Sequence, residues 1–214
     1  MLVCIGMTVI AFLSGSVMYS YFVPKFFYHI DVRKSGSDAN PGAANAISAV
    51  GLPLGLLCMA FDVLKALVPV YIAVSVIHLS GFSIVPVIVA PVLGHAFSPF
   101  LKFRGGKAIS ATFGSLLGIL FISRVVLVFA IVLFVLKLVI RVKPDSAMVI
   151  MGLLVSNALL VFIEPLREVE LAVLIMSVVV CAKVLLQPDK GALSLQVWHY
   201  AIIYENRRIA FRRG

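Results

Sequence analysis

The chain has 214 residues, 62% of them hydrophobic and 13% charged, and its mean hydropathy is +1.14. That composition excludes a soluble globular enzyme, because so much apolar surface has no water-facing arrangement and requires lipid around it. The net charge of +9 is read as an orientation signal, with attraction to anionic lipids or substrates second, and not as a nucleic-acid surface.

Seven apolar stretches follow one another at 2–23, 50–77, 82–101, 107–122, 124–140, 146–163 and 169–186. Most have the ~17–25 residues that cross a bilayer. The first lacks a basic leader and a small-residue cleavage site, so it is read as a retained helix and not as a signal peptide. The second is long enough to tilt or break near Asp62, and the fourth is short. Connections 24–49, 102–107, 141–145 and 187–214 hold Lys25, Arg33, Lys34, Lys102, Arg104, Lys107, Arg141, Lys143, Lys190, Arg207, Arg208, Arg212 and Arg213. The opposite turns hold Arg124 and Arg167, with Glu164, Glu168 and Glu170 crowding the last. Basic residues collect on the cytoplasmic side, which places the N-terminus outside and the C-terminus in the cytoplasm. The expected architecture is an all-α integral membrane protein of about seven transmembrane helices over 1–186, followed by a basic cytoplasmic tail over 187–214.

Within the tail, Leu193, Leu195 and Val197 alternate with Ser194, Gln196 and Trp198. The period of two predicts a short β-hairpin or extended segment on the cytoplasmic face, with Arg207, Arg208, Arg212 and Arg213 near lipid phosphates; the alternative is a frayed basic tail. Cys4, Cys58 and Cys181 all lie in apolar runs, with no CxxC pair and no histidine cluster at ligand spacing. They read as small buried hydrophobes, and no metal site is expected.

Two connections carry chemistry. The first, "DVRKSGSDANPGAANAIS" over Asp31–Ser48, is rich in small residues and broken by Pro41, as a flexible connector would be. A connector has no need of Arg33, Ser37, Asn40 and Asn45, whose donors suit phosphate or carbonyl oxygens. The second, "LGHAFSPFLKFRGGKA" over Leu93–Ala108, sets Arg104-Gly105-Gly106-Lys107 against an apolar run. A nucleotide-binding P-loop needs a glycine five residues before the second glycine and a Ser or Thr after the lysine. Leu101 and Ala108 occupy those positions, so both requirements fail. What remains is a pair of glycines exposing amides beside a lysine where a helix starts, which is an anion site in its own right; the plainer alternative is a basic turn that only sets topology. Three ionisable residues fall inside spans. Asp62 and Lys65, spaced i, i+3, either pair structurally on one helix face or serve a site, and His95 is either a neutral hydrogen-bonded histidine or a functional one.

"DVRKSGSDANPGAANA", "FDVLKA" and "GHAFSPFLKFRGGKA" resemble, in one collinear order over about residues 10–122, the signature loops of the bacterial acyl-phosphate:glycerol-3-phosphate acyltransferases, the PlsY family. The resemblance implies a multi-pass enzyme of the bacterial inner membrane whose cytoplasmic loops form the active site. Its reaction would move a fatty acyl group from acyl phosphate to the 1-hydroxyl of glycerol 3-phosphate, giving lysophosphatidic acid for phospholipid synthesis, with no cofactor and neither acyl-CoA nor acyl carrier protein as direct donor. It implies Lys107, His95 and Asn45 as catalytic residues. Arg33, Ser37, Asn40, Arg104, Gly105, Gly106 and Ser146 would bind substrate, and Asp62 and Lys65 would support the site. Membrane lipids and the acyl-phosphate-producing enzyme are the implied partners. The other large class of glycerolipid acyltransferases uses a His-x4-Asp dyad; here the residue five after His95 is Phe100, so that mechanism is closed.

The chain departs from the family pattern in four places. Gly36-Ser37-Asp38-Ala39-Asn40 is one residue longer than the usual Gly-Ser-Gly-Asn and adds a carboxylate beside the expected phosphate. Ala108 stands where a glycine usually follows the lysine. The third signature is echoed only by "RVKPDSA", Arg141–Ala147, and the C-terminal His-x-x-Asn has no counterpart closer than Asn206. A non-enzymatic membrane protein that binds or transports a phosphorylated solute or lipid is the alternative function. The absence of an inverted repeat and the gathering of polar residues at one membrane face weigh against it.

Overall fold

In the computed structural model, which describes residues 1–214 except 37, 190–191, 198–199, 206–207 and 214, the apolar stretches become helices ending close to the charges that punctuate the sequence. The helices are α1 Leu2–Ser16, α2 Tyr19–Phe27, α3 Ala43–Val50, α4 Leu52–Tyr71, α5 Ile84–Ala96, α6 Ile109–Gly118, α7 Val125–Phe134, α8 Asp145–Ile163 and α9 Arg167–Leu186. π-helical turns extend α4 through Ile72–Val76 and α7 through Val135–Val139. Among the described residues, Leu52–Val76, Gly81–Leu101, Asp145–Ile163 and Arg167–Leu186 are long and apolar enough to cross a bilayer. The bent pair α1 and α2 makes up to a fifth span, while Ile109–Gly118 and Val125–Val139 are shorter apolar helices. The protein is therefore a mostly helical membrane protein.

Helix α5 is the centre of the bundle: 67% of its span is buried, against 39–44% for the other three long spans, and it packs on α1, α4, α6 and α9. Lipid tails are as apolar as Leu, so helices in a membrane associate through close backbone approach. A Cβ on Gly94 would lie 2.2 Å from the Phe12 carbonyl oxygen, and one on Gly114 would lie 2.2 Å from that of Val63. Only glycine permits the α1–α5 and α4–α6 contacts at these points.

The first span, expected as one helix over 2–23, is broken at Val17–Met18, and its two halves meet at 46°. Ser14, Gly15 and Ser16 weaken the helix just before the break, and partners 42 to 48 residues away in sequence hold it. The Asp62 carboxylate accepts from the Tyr19 and Ser20 amides at 3.1 and 3.2 Å, which serves the start of α2. The Lys65 ammonium donates to the Val17 carbonyl, which serves the end of α1. Asp62 and Lys65 also pair with each other at 2.7 Å, with side chains 0% and 2% exposed. A carboxylate at a helix N-terminus and a cation at a helix C-terminus each match the local dipole. The intramembrane pair is thus a staple across a helix break, and removing one partner would strand a buried charge at a cost of about 3–5 kcal/mol. Helix α4 itself runs unbroken through Asp62; its irregular turn comes at Ile72–Val76, after Pro69.

The connection read as irregular contains a helix, α3. Pro41 ends the extended approach, Ala43, Ala44 and Ala46 favour the helical turn, and Gly51 with φ 84° ends α3 and opens α4. A residue with a side chain would be strained there. The tail forms three antiparallel strands, one more than a hairpin: β1 Leu193–Val197, β2 Tyr200–Glu205 and β3 Arg208–Arg213, in the order β1-β2-β3. Strand β1 ties onto the α7–α8 connection, where Lys143 and Ser194 exchange amide–carbonyl bonds at 2.9 Å and Gln196 donates to the Ile140 carbonyl at 2.9 Å. Arg207 lies outside the described residues.

Candidate active site

The Gly-Gly-Lys turn is held from below. After α5 the chain reverses through Lys102 and Phe103, both left-handed at φ 53° and 62°, and Gly105 and Gly106 then pass directly over His95. A Cβ on Gly105 would stand 1.9 Å from the His95 carbonyl oxygen. One on Gly106 would stand 2.7 Å from His95 Nε2 and 3.0 Å from both Asn40 Oδ1 and Met18 Cε. The Gly106 amide is already used: it donates to the His95 carbonyl at 3.1 Å. Both glycines thus pack closely over His95, and the Gly106 amide is spent on that contact. Met18, the residue at the α1–α2 break, is fully buried beneath this turn, so the Asp62–Lys65 staple helps to fix the height of the loop.

Beyond the glycines, Ala108 takes the left-handed conformation at φ 61° before α6 begins. A residue with a Cβ keeps that geometry at a cost of roughly 1–2 kcal/mol. The turn delivers Lys107 into a cavity of about 640 Å³ whose polar wall is formed by Asp38, Asn40, Asn45, Lys107, Ser146 and Asp189, with Lys143 and Asp145 beside them. The tail contributes Ala192 and Ser194 to the same cavity.

Lys107 lies between two carboxylates. Its ammonium is 2.8 Å from Asp38 Oδ2 and 2.6 Å from Asp189 Oδ1, and the lysine is 7% exposed. Burial works against the charged lysine, but the bonds to Asp189 and Asp38 outweigh it and hold the lysine above its ordinary value. Burial likewise works against a charged Asp38, while the Lys107 ammonium, the Asn40 amide and the Asn45 side chain hold its carboxyl below the usual range. Asn45 Nδ2 donates to Asp38 Oδ1 at 3.0 Å and to the Asn40 carbonyl at 2.7 Å, which braces the first loop. On the far side, Asp189 Oδ2 accepts from the Ser146 amide at 2.8 Å, in the first turn of the 19-residue helix α8. One carboxylate thus bridges a buried ammonium and an amide at a helix N-terminus, as a phosphate oxygen pair would.

Of the residues expected at the site, Asn40, Asn45, Lys107 and Ser146 come together at this cavity. Asn40 Oδ1 is buried without a partner among the described residues. Gly105 and Gly106 are buried behind the cavity, and the Gly105 carbonyl accepts from Gln187 Nε2 at 3.3 Å. His95, 2% exposed, lies under the glycines and does not line the cavity. Arg33 is occupied elsewhere: it pairs with Asp31 at 2.6 Å and lies 4.8 Å over the Tyr21 ring. The hydrogen bond from Arg33 draws the Asp31 carboxyl down to about 2. Arg104 is exposed and does not line the cavity. Ser37 and Asn206 lie outside the described residues. Sequence reasoning missed Asp189, whose only signal was an acid directly after Pro188 at the head of a basic tail.

A family model described as Glycerol-3-phosphate acyltransferase matches residues 5–190 of the chain. The chain is 42% identical over 108 residues to Glycerol-3-phosphate acyltransferase 2 of Thermotoga maritima, a match covering 50% of this chain and 53% of that protein. It spans about half the length of the curated relatives it matches. In fold it is similar to PlsY (YgiH), an integral membrane glycerol 3-phosphate acyltransferase, in two crystal structures. The glycerol 3-phosphate form superposes with a TM-score of 0.75 at 24% identity over 85% of this chain and 88% of that one. The lysophosphatidic acid form superposes with 0.72 at 23% identity over 85% and 87%. With most of its length under the family model and its motif loops gathered at one cavity, the chain belongs to the glycerol-3-phosphate acyltransferase family.

Proposed function

We propose that the protein transfers a fatty acyl group from acyl phosphate to the 1-hydroxyl of glycerol 3-phosphate, releasing phosphate and 1-acyl lysophosphatidic acid. The observation that carries the reading is the Asp189 carboxylate bridging Lys107 Nζ and the Ser146 amide at 2.6 and 2.8 Å. Those two donors are spaced for an anion, and a substrate phosphate takes the place of Asp189 between them. In the reaction the 1-hydroxyl oxygen bonds to the acyl carbonyl carbon and the carbonyl–phosphate oxygen bond breaks. The hydroxyl proton passes to a phosphate oxygen, so the protein aligns and neutralises without supplying a strong acid. Lys107 holds the phosphate, Asn45 and Asn40 shape the first loop around it, and Ser146 offers its amide. His95 acts through the loop as a positioning residue, with the Gly106 amide on its carbonyl.

The protein would work as a multi-pass protein of the bacterial inner membrane, with seven spans, the N-terminus outside and the tail cytoplasmic. The excess of Lys and Arg in alternate connections supports that orientation. In that setting the acyl-phosphate-producing enzyme would supply the donor. Purified protein incubated with palmitoyl phosphate and labelled glycerol 3-phosphate should yield a labelled, extractable 1-acyl product. Uptake of glycerol 3-phosphate into proteoliposomes without acyl phosphate, and with no product formed, would replace this reading with a transporter.

A further inference from the structure

The walls of the Lys107 cavity differ in what they offer a ligand. One side supplies donors, the Lys107 ammonium and the Ser146 amide, which Asp189 bridges. On the other side the first loop has spent its donors on itself. Asn45 Nδ2 donates to Asp38 Oδ1 and to the Asn40 carbonyl, and the Asn40 amide donates to Asp38 Oδ1. What this wall keeps open is oxygen. Asn40 Oδ1 is buried with no partner among the described residues. A carboxylate has about four acceptor positions. Asp38 uses two on Oδ1, for the Asn40 and Asn45 nitrogens, and one on Oδ2, for Lys107 at 2.8 Å. Among the described residues that leaves one position on Oδ2, on a side chain that is 9% exposed and lines the cavity. Burial works against its charge, but those three bonds keep the carboxyl below the usual range, so it accepts a hydrogen bond and does not donate one.

We infer that Asp38 selects the acceptor: its open Oδ2 position takes the 2-hydroxyl of glycerol 3-phosphate, which leaves the 1-hydroxyl to be acylated. The inference rests on the glycerol 3-phosphate reading above for its substrate. Asp38 and Asp189 contact the same Lys107 nitrogen at 2.8 and 2.6 Å. A phosphate in place of Asp189 therefore comes within two hydrogen-bond lengths of Asp38 Oδ2, and the ammonium between them offsets the repulsion of the two anions. The 2-hydroxyl is on the second carbon from the phosphate ester oxygen, which spans that distance. The 1-hydroxyl is one carbon further out, beyond the Asp38 contact and free to meet the acyl carbon. A ligand with phosphate at one end and hydroxyls at the other matches a cavity with donors on one wall and acceptors on the other. A ketone at the second carbon does not match, because two acceptors would then oppose each other.

The test compares three acceptors on protein in lipid nanodiscs: glycerol 3-phosphate, 3-hydroxypropyl phosphate, which lacks the 2-hydroxyl, and dihydroxyacetone phosphate, which has a ketone there. One readout is kcat/KM with palmitoyl phosphate as donor. The other is equilibrium binding of each acceptor with no donor present. The parent should favour glycerol 3-phosphate over both analogues by about tenfold or more, the worth of one hydrogen bond to a charged group. Asp38→Ala should abolish the preference over 3-hydroxypropyl phosphate. Asp38→Asn should shrink the preference over dihydroxyacetone phosphate most, because the new amide can donate to the ketone, and it carries the test where Asp38→Ala fails to insert. Each ratio is internal to one preparation, so a smaller folded fraction does not move it, and a residue that only braced the loop would lower all three acceptors alike. Ratios equal to the parent's in both variants, or a parent that does not discriminate, would overturn the inference while leaving acyl transfer intact. Binding ratios that shift as expected, with no acylated product from any acceptor, would keep the role of Asp38 and overturn the acyltransferase reading.

Discussion

Replacing Lys107 by Ala removes the ammonium between Asp38 and Asp189, and the size of the loss follows from what the substrate phosphate displaces. A charge-assisted hydrogen bond at a buried position contributes roughly 1.5–3 kcal/mol. In the substrate-free protein that ammonium already contacts two carboxylates at 2.8 and 2.6 Å, so a phosphate replaces Asp189 and not water. The exchange gains less than the full interaction, and kcat/KM for glycerol 3-phosphate should fall about tenfold to thirtyfold, the lower end of the range, at ~1.4 kcal/mol per decade. In an Asp189→Ala background nothing on that side competes for Lys107, and the same substitution should cost up to about two-hundredfold. The assay is initial-rate acyl transfer in nanodiscs for the four members of this double-mutant cycle, with Lys102→Ala as the control because Lys102 is exposed on the same turn. Equal losses from Lys107→Ala in both backgrounds would refute the exchange argument. A loss from Lys102→Ala as large as that from Lys107→Ala would refute the phosphate assignment itself.

The glycine pair should respond unequally to rescue. Gly106→Ala, whose new Cβ meets the His95 ring at 2.7 Å, should regain activity when combined with His95→Ala, whereas Gly105→Ala, which meets the His95 backbone oxygen at 1.9 Å, should not; activity of the four variants at matched membrane levels decides. The raised lysine and lowered carboxyl at the site fix the pH behaviour. A depressed Asp38 keeps its stabilising charge above the ordinary carboxylate value and loses it only as pH falls through the lower native value. An elevated Lys107 keeps its charge below the ordinary lysine value and loses it only as pH rises through the higher native one. Across neutral pH the site is therefore constant, and kcat/KM should rise once, near the second ionisation of a phosphate monoester at about 6, then stay level to about 9; a second limb between 7 and 9 that vanishes in His95→Gln would show histidine titrating in the reaction. Orientation is checked by single cysteines in a background lacking the native ones: a cysteine at the exposed Ser35 should be shielded from an external impermeant thiol reagent and one at the exposed Arg167 labelled, and the reverse pattern would put the site on the wrong face.

Hydropathy placed the helices well because burial in lipid leaves little choice. The stretches expected at 146–163 and 169–186 are the helices Asp145–Ile163 and Arg167–Leu186. The break at Val17–Met18 was only faintly marked, by the weak helix formers Ser14, Gly15 and Ser16 before it, because the caps that hold it arrive from Asp62 and Lys65 on another helix. For the same reason spacing alone showed that those two could pair but not that they join helix ends. The candidate site was legible where polar side chains stand out in loops rich in small residues, as with Asn40 and Asn45 in the first loop and Lys107 in the second. It was illegible where a residue acts by arriving from a distance, as Asp189 does 82 positions from its lysine. Gly105 and Gly106 read from the sequence as open amides, and the structure adds their close packing over His95, since an open amide and a close backbone contact leave the same mark in a sequence.

The account stands most directly on product chemistry. Purified protein supplied with palmitoyl phosphate and glycerol 3-phosphate should release inorganic phosphate and 1-palmitoyl lysophosphatidic acid in equal amounts. Palmitoyl-CoA in place of palmitoyl phosphate should give neither, and the rate should collapse in Lys107→Ala as worked out above. Phosphate release without an acylated glycerol 3-phosphate, or equal product from the coenzyme A thioester, would contradict it.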